Sequence, residues 1–83
     1  IKLENYNKDN IEFDLVGKKQ GIYYIFEIKH KNKPTGYQDI KKFLEKVGNS
    51  EFKDKKRKLF FISKSDYTKE AEKLIEKNKI ERF

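Results

Sequence analysis

An α/β domain built on a mixed sheet with flanking helices, in the element order β-β-β-α-β-α and closing on a short strand, is what this sequence predicts. Three observations lead there. Two adjacent segments alternate apolar and polar residues with period two, two later segments carry apolar residues at helical spacing, and a short, wholly apolar run lies between those helices. At 83 residues the chain has room for one core, so residues 1–83 are expected to form a single domain.

Ile1 to Tyr6 alternates loosely and predicts a weak first strand, ended by the turn-forming run Asn7-Lys8-Asp9-Asn10. Ile11 to Gly17 alternates cleanly, with Ile11, Phe13 and Leu15 on one face and Glu12, Asp14 and Val16 on the other. After Lys18-Lys19-Gln20-Gly21, the β-branched and aromatic run Ile22 to His30 predicts a third strand. Pro34 ends that pattern, and Thr35 with Gln38 fits a capping box for a helix bearing Ile40, Phe43, Leu44 and Val47. Gly48 to Lys58 is almost wholly polar and reads as an exposed loop, while Leu59 to Ile62 reads as a buried strand. Ser63 to Thr68 supplies capping residues for a helix carrying Ala71, Leu74 and Ile75, and Ile80 to Phe83 predicts an edge strand.

The charge balance narrows the function classes. Lys and Arg number 21 against 14 Asp and Glu, a formal net charge of +7 that favours a polyanionic partner such as nucleic acid. Without cysteine, and with His30 as its one histidine, the chain holds neither disulfides nor a thiolate or imidazole zinc cluster, so a metal site must use oxygen ligands. No apolar run has the length of a membrane span and no signal peptide is present, which predicts a soluble, cytoplasmic protein without a membrane partner. A chain opening on Ile1, with strand-like residues from the start, is expected to be a fragment of a larger protein.

Two E-x-K tripeptides occur, Glu27-Ile28-Lys29 and Glu51-Phe52-Lys53. The second lies in the polar loop. The first ends the most apolar strand, where charged groups cost desolvation energy unless they are paired or bind an ion. A two-residue turn at Gln20-Gly21 pairs Lys19 with Ile22, and counting back sets Asp14 opposite Glu27 and Glu12 opposite Lys29. The same register sets Phe13, Leu15, Phe26 and Ile28 on the opposite face. Facing carboxylates repel unless a cation sits between them, and Mg²⁺ (or Mn²⁺) takes one or two carboxylates plus a carbonyl. A neighbouring lysine can serve an attacking water and offset charge developing on a phosphate. Residues alone leave a second reading open, a cross-strand ion-pair ladder on a solvated sheet face.

The string Glu12-Phe13-Asp14-Leu15-Val16, the hairpin, and Ile25-Phe26-Glu27-Ile28-Lys29, followed by a helix and an apolar strand, resembles the PD-(D/E)XK nuclease superfamily over most of the chain. The resemblance implies a restriction-endonuclease-like core, without the helix that opens that core in the family. It implies metal ligation by Asp14, Glu27 and the Ile28 carbonyl, with catalytic roles for Asp14, Glu27 and Lys29. More narrowly, Asn32-Lys33-Pro34 and Phe61 to Thr68 are similar to the C-terminal domain of archaeal-type P-loop ATPases, although that domain usually has Gly where Asp66 stands here.

The function expected is therefore Mg²⁺-dependent cleavage of DNA without strong base recognition, since no base-reading element is present. The alternative is a catalytically silent module that binds nucleic acid or protein. The partners expected are DNA, an N-terminal P-loop ATPase module joined to this chain, and a second copy in a homodimer. Lys31 and Lys33 are candidate phosphate contacts, and the run Lys55 to Lys58 a more distant one. Glu12 and Gln38 are candidate accessory residues, with Gln38 better explained by its cap. His30, Tyr23 and Tyr37 are read as ordinary surface or packing residues.

Overall fold

In the computed structural model, which describes residues 1–83, five strands form one mixed sheet in the order β1 (Glu4–Lys8), β2 (Ile11–Lys19), β3 (Ile22–Lys29), β4 (Arg57–Ser63) and β5 (Glu81–Arg82). Two type I′-like turns set the antiparallel half. Asp9 and Asn10 take φ of 55° and 64° between β1 and β2, and Gln20 and Gly21 take 52° and 79° between β2 and β3. The second turn pairs Lys19 with Ile22, and the ladder runs in the expected register to Val16↔Ile25 and Leu15↔Phe26.

Beyond that point the expected register changes. Tyr6 pairs with Phe13 but Glu4 pairs with Val16, so two residues of β1 span three of β2, a β-bulge. The extra residue reverses the alternation of β2. Phe13, expected on the face opposite Glu27, turns instead into the core beside Phe43, and Val16 packs against the same core. Glu12 pairs with Asn7 of β1 rather than facing Lys29.

β3, β4 and β5 are parallel, and the connections pass through α1 (Tyr37–Gly48) and α2 (Lys69–Lys77). Both helices bury their apolar stripes on the same sheet face. Ile40, Phe43 and Val47 of α1 and Ala71 and Ile75 of α2 join Phe13, Ile25, Leu59 and Phe61 in one core. On the other face Tyr24, Phe26 and Phe83 stack around Phe60, with centroid separations of 6.0, 4.3 and 6.4 Å.

Two local expectations are corrected. The segment read as an exposed loop contains a 3₁₀ turn, Glu51–Asp54, that drives Phe52 into the core at 2% exposure, against the rings of Tyr6, Tyr23 and Phe13. A single aromatic in a polar run has no periodicity to reveal it. The capping box of Thr35 and Gln38 does not form. Thr35 donates its amide to the Asp66 carbonyl and accepts from the Thr68 amide, bridging the loops before α1 and α2, and its buried hydroxyl meets that of Ser63 at 2.6 Å. The helix therefore starts one residue later, with Gly36 at the N-cap and the Asp39 carboxylate accepting the Gly36 amide at 2.9 Å. Thr68 caps α2 as its residue type predicts, accepting from the Ala71 amide.

Candidate active site

A cleft of about 580 Å³ opens where β2 and β3 part beneath α1, and its wall includes Glu12, Asp14, Glu27, Ile28, Lys29 and Lys31. The parting has a local cause. The Asp14 carboxylate accepts the backbone amide of Ile28 at 2.7 Å, so a side chain stands where the strand ladder would otherwise continue. The Asn5 side-chain amide donates to the Asp14 carbonyl at 2.8 Å and ties the bulge to β1.

α1 lies across β3 with its contacts in the reverse chain order. Asp39 in its first turn pairs with Lys29 at 2.8 Å, and Lys46 in its last turn pairs with Glu27 at 2.5 Å. Each helix charge also suits the macrodipole at its end. The Lys29 ammonium, whose side chain is only 12% exposed, donates in addition to the Pro34 carbonyl at 3.2 Å. The Lys46 ammonium rests 5.1 Å from the centroid of the Phe13 ring, which the bulge has brought to this side.

Burial pushes the Glu27 carboxyl above the usual range; Lys46 pulls it down, and the adjacent Asp14 carboxylate adds to the rise. For Asp39, burial acts to raise the pKa, but the Lys29 ammonium and the Gly36 amide together hold it below the ordinary value. Tyr6, also on the cleft wall, is pushed up to about 12 by burial and by donating its hydroxyl to Glu51. Its hydroxyl keeps its proton near neutrality and is no general base.

Of the residues singled out in the sequence, Asp14, Glu27, Ile28, Lys29, Lys31 and Glu12 share the cleft. Glu12 accepts from the Asn7 side-chain amide at 3.1 Å. Gln38 is exposed on the first turn of α1 and does not line the cleft, and Lys33 is exposed in the loop after β3. Tyr37, read as a packing residue, is 43% exposed. Sequence reasoning missed Asp39, Lys42 and Lys46, all on the cleft wall. Their spacing of i, i+3 and i+7 is a helical stripe, a signal hidden by looking only for apolar periodicity.

The donor set suits a hard divalent cation. Two adjacent carboxylates, one raised in pKa chiefly by burial and further by its neighbour, favour a cation between them, and Mg²⁺ completes its shell with water. No cluster of three or more His, Cys, Asp or Glu side chains exists that would form a cage made wholly by the protein.

A mixed sheet with a carboxylate-and-lysine cleft at the end of its central hairpin defines a restriction-endonuclease-like, PD-(D/E)XK-type domain. The chain belongs to the restriction endonuclease family, whose Mrr_cat model matches residues 4–82. Among solved structures it is similar to one titled "Crystal Structure of Protein of Unknown Function AF1548", with a TM-score of 0.74 and 19% identity, over 96% of this chain. The chain spans 48% of that protein, and the likeness is one of fold. No curated protein matches the chain. No helix is long and apolar enough to cross a membrane.

Proposed function

We propose that this domain hydrolyses phosphodiester bonds of DNA with a divalent metal ion, Mg²⁺ or Mn²⁺. The observation that carries the reading is the meeting of Asp14 and Glu27 in one cleft with Lys29 on the same wall. Asp14, Glu27 and the Ile28 carbonyl are the ligands in this reading, and the ion supplies a Lewis acid for a phosphoryl oxygen. Lys29 orients the attacking water and offsets charge on the phosphate, held in place by Asp39 and the Pro34 carbonyl. Lys31 at the cleft and Lys33 in the loop after β3 take backbone phosphates, and the surplus of +7 draws the polyanion in. Glu12 is an accessory carboxylate at the rim, while the exposed position of Gln38 leaves it little part in the chemistry.

Attachment to an N-terminal P-loop ATPase module is the finer part of this proposal. It is supported by the sequence likeness of residues 32–34 and 61–68; the chain just before the first of these is tied to the second by the Ser65 hydroxyl donating to the Lys31 carbonyl and the Lys64 amide donating to that of Lys29. One observation favours the silent-module alternative: Lys46 and Asp39 already neutralise Glu27 and Lys29.

Metal dependence separates the two. Incubation with duplex, branched and single-stranded DNA is expected to give cleavage with Mg²⁺ or Mn²⁺, none with EDTA, and none in Asp14→Asn or Glu27→Gln, while DNA binding survives in both variants. Absence of cleavage on all three substrates would leave the silent module as the better reading.

A further inference from the structure

The Lys46 ammonium occupies the side of Glu27 that faces α1, in contact with the carboxylate that the proposed function assigns to the metal. A divalent ion and an ammonium on one carboxylate repel, and a compact lysine head on a flexible stem is the partner that moves. Lys46 also has a second support within the cleft, the Phe13 ring. That ring faces α1 only because the bulge in β2 reversed the strand, so the bulge that presents Asp14 to the cleft also builds the place where Lys46 can rest.

Resting on the reading of Asp14 and Glu27 as metal ligands, we propose that Lys46 is a resident counter-ion that the divalent cation displaces from Glu27, and that the displaced ammonium stays over Phe13 to meet the substrate phosphate. Before metal arrives, Lys46 keeps a partly buried carboxylate paired, since Glu27 is only 20% exposed. Once displaced, the ammonium lies on the cleft wall with Lys42 and Lys31, three cations on one wall able to take a phosphate. Lys46 thus links metal entry to phosphate capture.

The test measures metal and DNA separately. Mn²⁺ binding, followed by electron paramagnetic resonance at pH 8, is expected to tighten roughly tenfold in Lys46→Met, which removes the competing charge and keeps an apolar side chain over Phe13. Lys46→Arg, which keeps the charge, is expected to stay near wild type. DNA affinity with Ca²⁺ present is expected to weaken in Lys46→Met while remaining unchanged in the exposed control Lys77→Met. In the wild-type protein, the Lys46 side-chain NMR resonance should move on adding Mg²⁺ towards its position in metal-free Glu27→Gln. Wild-type Mn²⁺ binding that Lys46→Met leaves unchanged or weakens overturns this inference alone. No Mn²⁺ binding by either protein overturns the metal-site reading and this inference with it.

Discussion

The backbone amide of Ile28 donates to the carboxylate of Asp14 across the mouth of the β2–β3 hairpin at 2.7 Å. One oxygen of Asp14 thus holds the strands apart in the right register, and the same carboxylate stands beside Glu27. Structural and metal-binding roles meet on a single side chain, and substitutions can separate them.

Asp14→Asn keeps an oxygen that can accept the Ile28 amide and removes only the charge. Its stability against denaturant is expected to stay close to wild type while Mn²⁺ binding is lost. Asp14→Ala loses both, and a further destabilisation of about 1 kcal/mol is expected from the amide left without its partner. Equal stability of the two variants would show that the hydrogen bond contributes nothing to holding the two strand ends in place.

How much of this was legible in the sequence depends on the kind of signal each residue left. The hairpin register followed from Gln20-Gly21, because a two-residue turn fixes every pair up to Leu15↔Phe26. The bulge left no such mark: Glu12-Phe13-Asp14-Leu15 alternates as an unbulged strand does, and the insertion is set by how β1 pairs with β2. Hence the grouping of Asp14 with Glu27 was readable, whereas the inward turn of Phe13 was not. The two α1 charges that face β3 were hidden for a different reason. Lys and Asp on a helix are usually solvated, and only the crossing of α1 over β3 gives Lys46 and Asp39 their partners. Thr35 carried a capping signature but lies where two loops meet, and tertiary hydrogen bonds took its backbone first.

Asp39 is held below the ordinary carboxylate range, against the effect of its burial, by the Lys29 ammonium and the Gly36 amide. A lowered folded pKa means that its contribution to stability is complete above the ordinary value of 3.8 and is lost as pH falls through the lower folded value. Asp39→Ala is expected to cost about 1 kcal/mol at neutral pH, because the Gly36 amide at the N-cap loses its acceptor and Lys29 its partner, and the gap from wild type should close on acidification. Urea unfolding at a series of pH values measures this. A gap constant across the acid range would mean that the ionised carboxylate is not what matters.

The sequence offers two E-x-K tripeptides, and the fold treats them differently. Lys29 is almost enclosed on the wall of the cleft, two residues beyond Glu27. Lys53 is exposed on the 3₁₀ turn, and Glu51 spends its carboxylate on the Tyr6 hydroxyl and on Lys8 at 3.5 Å. If Lys29 acts on water and phosphate, Lys29→Ala should lower the cleavage rate by about 100-fold or more while Mn²⁺ still binds, because the ligands are untouched. Glu51→Gln and Lys53→Ala should leave both cleavage and metal binding near wild type, with the effect of Glu51→Gln confined to its partners Lys8 and Tyr6, and the Tyr6 pKa should fall only part of the way towards 10.0 because its burial remains. The decisive comparison is single-turnover cleavage at saturating metal, which isolates the chemical step from differences in metal affinity. Equal losses in the Lys29 and Lys53 variants would show that the activity depends on general positive charge, not on a lysine set by β3, and would remove Lys29 from the mechanism.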